Sequence, residues 1–433
     1  MTLSRRRWLQ HGALLGAPGW LAGCAAPTTL TTQADGPLGW AAVGATTGGL
    51  GARPEHILDI HDRAGLDAAL ALGDVPKILR VHRRIDLCAD AQGRRLEARA
   101  FCDPAYDEAA FDRAYDPGTW GRADPSGPPE EARRRSQRRQ AERVVVRLPS
   151  NTTLLGVAPD AGFERGMLLL ERVSNLVIRD LSFSDAYDHF PEWQPRDNGH
   201  GEWNSEYDTL SLRFAQRVWV DHCHFDDGRR PDAQEPIRLG QRVQHHDGLL
   251  DITRQSDLVT VSWSRFTQHD KTMLIGAGDG QVADTGHLRV TLHHNHFHGC
   301  HERTPRVRFG RVHVAANLFS ADRAEDFGYS LGLGQGSRLI SEHNRWELPE
   351  GLGADRLVRV LKGQVFSDRD SRLNGRPVDL RAAWQARHPE QPLSADVGWR
   401  PDEHYDTAAL RPRDPDALAS QIRQGAGPRP RRA

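Results

Sequence analysis

The chain has 433 residues, 38% hydrophobic and 27% charged, with a formal net charge of −1. That balance excludes nucleic acid or an anionic membrane surface as the main partner, and no stretch approaches the ~20 apolar residues of a spanning helix. With 41 glycines and 26 prolines, the low apolar content predicts a turn-rich β protein rather than a helical bundle.

Residues 1–23 read as a targeting segment. Arg5, Arg6 and Arg7 lie in SRRRWLQ, which resembles a twin-arginine export signal. The stretch LAGC, Leu21 to Cys24, resembles a bacterial lipobox, so Cys24 is the expected lipidation site. An ordinary secretory signal is the plainer reading; both motifs in the right order favour the lipoprotein. Membrane contact is then expected only through a lipid anchor, on a periplasmic or cell-surface monomer. Residues 24–38 read as a tether.

His61–Gly73 has helical spacing with an aspartate near its start, which predicts a helix capping an open end of the core. Cys88 and Cys102 flank a polar loop, and either a disulfide or two free thiols fits them equally. Cys223 and Cys300, within strand-like runs, read as buried thiols. The polar stretch from Gly121 to Val144 reads as a surface excursion.

From Asn175 onward a pattern repeats. NLVIRDLSF, RVWVDHCHF, DLVTVSWSRF, LRVTLHHNHF, RVHVAANLF and RLISEHNRW each close on an aromatic. Two positions before the aromatic stand Cys223, Ser264, Asn295, Asn317 and Asn344 in successive units. Strand alternation alone leaves a β-sandwich open. A recurring small or amide residue favours stacked coils with laddered side chains, because one unit cannot bury its own face. The expected fold is all-β, a parallel β-helix over residues 39–378. Residues 379–433 form an extension, disordered from about Arg411.

Ordered segments also carry a resemblance. AAVGATTGGL, AYDPGTWG, RVVVRLPSNTTLLG, WNSEYDTLSL, VWVDHCHFDDG, HHDGLLDI, HDKTMLIGAGD and HERTPRVRFGRVHV resemble the calcium-dependent pectate lyases of polysaccharide lyase family 1. The likeness covers roughly Trp40 to Glu347. It implies a right-handed parallel β-helix, polygalacturonate as substrate and Ca²⁺ as cofactor. Cleavage is then a β-elimination that leaves 4,5-unsaturated oligogalacturonates.

The resemblance assigns roles to residues. Asp208, Asp247 and Asp251 match calcium ligands, and Asp197 matches a ligand to a further calcium. Hard oxygen donors suit that ion. In a straight strand Asp247 and Asp251 lie about 13 Å apart at ~3.3 Å per residue. The chain must bend between them, which Gly248 permits, and Asp208 must come from a neighbouring coil. Arg303 matches the base that takes the C5 proton, and Lys271 and Arg308 match binders of substrate carboxylates. Burial and nearby cations are expected to lower the Arg303 pKa toward what a base needs. Arg306 reads as structural, as do Asp221 and His222, which are expected to form a buried hydrogen bond. His245 and His246 are expected beside the site. The acidic trio argues against a pectin lyase acting on methylated polymer. The cationic cluster suits elimination better than a polygalacturonase with its paired carboxylates. An intact Arg303 with Lys271 argues against a surface lipoprotein that only binds acidic polysaccharide.

Overall fold

In the computed structural model, residues 36–429 are described. Three long sheets, parallel but for one antiparallel pair at the end of the second, run through the described residues. Sheet one has ten strands, from Ile57–Ile60 to Phe366–Arg369. Sheet two has ten, from Arg84–Asp86 to Arg376–Val378, and sheet three has eight, from Val145–Arg147 to Val358–Val360. The central coils contribute one strand to each sheet, as Leu250–Thr253, Asp257–Ser262 and Arg265–Lys271 do in turn. The fold is the expected right-handed parallel β-helix.

In-register parallel pairing puts equivalent residues of successive coils one strand spacing apart, ~4.7–4.9 Å. The closing aromatics therefore stack. Ring centroids of Phe183, Phe225, Phe266, Phe297, Phe319 and Trp346 follow one another at 4.9, 4.8, 4.8, 5.1 and 4.8 Å, nearly parallel. The residue two places earlier forms a hydrogen-bonded ladder. Cys223 N donates to Ser264 Oγ, Ser264 N to Asn295 Oδ1, Asn295 N to Asn317 Oδ1 and Asn317 N to Asn344 Oδ1. Just before each rung the chain turns through a left-handed residue: His222, Trp263, His294, Ala316 and His343 have φ of 47–58°. That backbone suits a single bend between sheets and nothing longer.

The helix Arg63–Leu70 forms where its spacing predicts. Asp62 caps it by accepting from Gly65 N at 2.7 Å, and Leu66 and Ala69 close the first coil's core. Cys88 and Cys102 are not bonded to each other, and Cys223 and Cys300 are buried free thiols. Most of the 24–38 tether, with Cys24 and the 1–23 segment, lies outside the described residues. Leu38 is already held, through its carbonyl, by Thr260 Oγ1 at 2.7 Å.

Two regions differ from expectation. The polar stretch after Gly121 contains a 17-residue helix, Pro128–Val144, with Glu130, Arg133, Ser136 and Gln140 buried. Its buried face works largely by hydrogen bonds, with Ala132 and Val144 the apolar residues on it. Arg133 pairs with Glu130 and donates to Phe190 O at 2.7 Å, and Gln140 donates to Tyr187 O at 2.7 Å. The described part of the tail beyond Arg411 is folded against the coils. Its helix Leu418–Gly425 buries Leu418 and Ile422 against Ala316 and Leu318. Its charges tie it to the coils it crosses: Asp416 pairs with Arg372, Arg423 with Glu347 and Arg429 with Asp180. The sequence reads as disordered from about Arg411, whereas Asp416, Arg423 and Arg429 each meet an opposite charge on the coils.

Candidate active site

Sheet three and the turns beside it carry Asp208, Asp251 and the arginines of HERTPRVRF, while Lys271 ends a strand of sheet two and Asp197 lies in a separate hairpin. Asp208 lies just before the strand Leu210–Arg213, and Asp251 lies in the adjacent strand, opposite Ser211. Asp208 Oδ1 accepts from Gly248 N at 3.0 Å, and Asp251 Oδ1 accepts from Leu274 N at 2.9 Å. Both are buried, at 4% and 9% exposure. Gly248 is required for room. A Cβ there would stand 2.5 Å from Asp251 Oδ1 and 2.9 Å from Asp208 Oδ1.

Burial raises the pKa of both aspartates. Asp251 and Asp247 add repulsion at Asp208, which is held well above the usual carboxylate range. Asp247 adds to the effect at Asp251, pushed up to about 7. Among the described residues no three acidic, His or Cys side chains stand together as a complete metal-binding set. The acidic pair nonetheless fits a divalent cation in two respects: it is a buried concentration of like charge, and it surrounds a bare cradle that any side chain at position 248 would fill.

The chain before Asp247 is fixed from below. His246 Nδ1 lies 2.7 Å from Asp232 and its Nε2 3.2 Å from Asp185. Burial opposes its charge, but Asp227, Asp185 and Asp232 push its pKa up to about 10. His245 stacks on Tyr187, with centroids 4.2 Å apart. Asp221 and His222 form the expected hydrogen bond, 2.8 Å long, well away from the acidic pair on sheet one.

The cations follow on neighbouring coils. Lys271 ends the strand Arg265–Lys271 and pairs in register with Glu302. Its ammonium donates to Asn204 Oδ1 at 3.2 Å and lies 3.9 Å from Glu202. Asn204 and Glu202 belong to a hairpin of Glu192–Gln194 and Glu202–Asn204, whose connection carries Asp197. Asn204 Nδ2 also donates to Asp197 Oδ2 at 3.4 Å. Asp197 is thus linked to Lys271 through Asn204.

Arg303 turns the chain at φ 60°. Its Nε donates to Glu302 Oε1 at 2.9 Å. The expected lowering of its pKa is not what its surroundings produce. Burial does lower it, but Glu302, Tyr329, Asp247 and Asp251 outweigh burial and leave it raised. Composition showed the arginines of HERTPRVRF; it did not show that Arg303 faces more acids than bases.

Arg308 donates through Nε to Asp279 Oδ1 at 2.7 Å and through Nη1 to Gly276 O at 3.1 Å and Ala277 O at 3.3 Å. The next coil is bare beneath it. A Cβ on Gly334 would stand 2.6 Å from Val307 O and 2.8 Å from Arg308 Cγ. A Cβ on Gly332 would stand 3.1 Å from Arg306 Cγ. The two glycines of LGLG, two apart on one face of a strand, leave the space in which both arginines lie. Arg306 is half-buried, and Arg308 and Arg303 add to burial in lowering its pKa. Reasoning on sequence missed Asn204, Glu302, Tyr329, Asp279 and this glycine pair. The period-two glycines were the available signal.

A family model described as pectate lyase matches residues 124–392. A pectate lyase of Bacillus subtilis is 37% identical over 373 residues, covering 84% of this chain and 87% of that protein. The solved structure of a thermostable pectate lyase superposes with a TM-score of 0.85 at 37% identity, over 90% of this chain and 96% of that one. A pectate lyase solved with a bound hexasaccharide gives 0.83 at 35% identity, over the same shares. This chain belongs to the pectate lyase family and is a polysaccharide lyase.

Proposed function

We propose that this enzyme cleaves α-1,4-linked polygalacturonate by calcium-dependent β-elimination and leaves 4,5-unsaturated ends. The observation that carries the reading is the arrangement on and beside sheet three: a buried acidic pair, with Lys271, Arg303 and Arg308 on the coils that follow. A polymer with a carboxylate on every sugar needs cations at regular intervals. Stacked coils repeat every ~4.7–4.9 Å.

In this reading Asp208, Asp247 and Asp251 would hold calcium, and Asp197 would hold a further calcium from its hairpin connection. Bound calcium would supply positive charge beside the carboxylate next to C5, which acidifies the C5 proton and stabilises the developing anion. Lys271 and Arg308 bind substrate carboxylates. Arg303 takes the C5 proton, and the 4-linked oxygen leaves. Two of the groups that hold the Arg303 proton, Asp247 and Asp251, are themselves proposed ligands, so their charge must be offset before Arg303 acts as a base. Glu302 remains as a second brake on that step.

The test is the initial rate of unsaturated-product formation from polygalacturonate, with and without chelator. Activity should vanish in excess chelator and return with Ca²⁺; full activity without free metal would overturn the calcium assignment. For location, we place acylation at Cys24. Mass spectrometry of the mature N-terminus reads this directly, and an unmodified Cys24 counts against the anchor.

A further inference from the structure

Asp279 is the acidic residue at the end of HDKTMLIGAGD, and the reading above gives it no task. It touches two cations. Oδ1 accepts from Arg308 Nε at 2.7 Å, and Oδ2 accepts from Lys362 Nζ at 2.6 Å. Lys362 lies in the turn after Val358–Val360, where the amides of Leu361, Lys362 and Gly363 all point at Leu333 O. It therefore reaches back over the bare Gly334 coil from a fixed base.

An acid beside an anion-binding arginine is unfavourable on charge alone, because it cancels the positive charge the substrate seeks. Two features change that balance. Lys362 occupies the second oxygen, so the trio keeps one net positive charge. Asp279 and two backbone carbonyls also engage Nε and Nη1. Among the described residues Nη2 of Arg308 has no hydrogen-bond partner, and it is the edge left to meet a carboxylate.

We propose that Asp279 is a positioning residue: together with Lys362 it holds Arg308 so that Nη2 is presented to a substrate carboxylate without loss of the site's positive charge. The inference rests on Arg308 being a carboxylate binder. Pure electrostatics and positioning give opposite signs for Asp279→Asn. Removing a negative charge should tighten binding of an anionic polymer, whereas releasing a held guanidinium should weaken it.

The experiment measures KM and kcat on polygalacturonate at saturating Ca²⁺ for wild type, Asp279→Asn, Arg308→Ala and the double variant, with the unfolding midpoint of each. Asp279→Asn should raise KM on the order of 10-fold, the scale of a lost charge-assisted hydrogen bond, with kcat little changed. In the Arg308→Ala background the same change should cost nothing more. A lower KM for Asp279→Asn, or a rise that persists undiminished in the double variant, overturns the proposal. Arg308→Ala with an unchanged KM removes the carboxylate-binding reading and this inference with it. Lys362→Gln is the second arm, at an exposed position where folding is not at risk. It should raise KM about 3-fold at low salt and lose that effect at high salt, and no change at low salt overturns the shared-charge account.

Discussion

Along the inner wall, Asn295, Asn317 and Asn344 each accept a backbone hydrogen bond from the coil before and donate to neighbouring carbonyls. Along the outer wall of sheet three, Asp208 and Asp251 stand as like charges around Gly248, and Arg303, Arg306 and Arg308 crowd the coil two strands on. Both walls repeat at the same strand spacing. The inner one matches donor to acceptor at every step, while the outer one sets Asp251 beside Asp208 and Arg306 between Arg303 and Arg308, with only part of that charge met by Glu302 and Asp279. The contrast locates function physically: where a repeat satisfies itself it stabilises, and where it leaves a charge uncompensated it is arranged for something that arrives from outside.

The strongest way to break this contrast is at Arg303. Arg303→Lys should lower kcat by ~10²–10⁴, the usual cost of losing a general base. Rates against pH at saturating Ca²⁺ separate base from electrostatic clamp. A base gives a wild-type rate that climbs with pH and a variant profile of different shape. Parallel profiles would leave Arg303 only as a stabiliser of charge.

The acidic pair offers a prediction of opposite sign for activity and stability. Asp251→Asn should abolish most activity yet raise the metal-free unfolding midpoint by about 2–4 °C. Both aspartates have folded pKa values above their unfolded ones. The folded state therefore holds more protons than the unfolded state between the usual carboxylate range and about 7, and stability falls as pH rises through that window. The gap between variant and wild type should thus widen from pH 4 to pH 7, and excess Ca²⁺ should close it. A midpoint gap independent of pH would remove the repulsion account.

The inner wall gives the converse. Asn317→Leu keeps approximate volume but strands the N donor and one Nδ2 donor of Asn295 and takes a donor from the carbonyls of Leu292 and Ala315. It should cost about 2–4 kcal/mol by denaturant unfolding, with kcat unchanged in the folded fraction. The smallest effect is expected at the tail: Arg429→Ala removes an ion pair to Asp180, itself 2% exposed, and should cost about 1–2 kcal/mol.

Much of the inner wall was legible in sequence. A closing aromatic and an amide two places before it are periodic signals, and periodicity survives without coordinates. The outer wall was legible only through the family resemblance, because Asp208 and Asp251 are 43 residues apart and nothing local marks them as neighbours. Two physical facts escaped both routes. Arg133 and Gln140 are buried by hydrogen bonds to loop carbonyls, which hydropathy cannot register. The sign of the Arg303 shift depends on Glu302, Tyr329, Asp247 and Asp251 together, a sum over coils that no single segment contains.

The tail, described through Arg429, has a mechanical meaning. A bare solenoid pulled from its last coil should peel one rung at a time, since each coil leans only on its neighbours. Here the chain doubles back, and the pair between Arg429 and Asp180 closes a loop of 249 residues. The last coil cannot fray until that clasp opens. Partial openings that would expose a cut site to a protease are therefore coupled to release of the whole strap. A scaffold built from semi-independent rungs is thereby made to yield, under force or digestion, more nearly as one body.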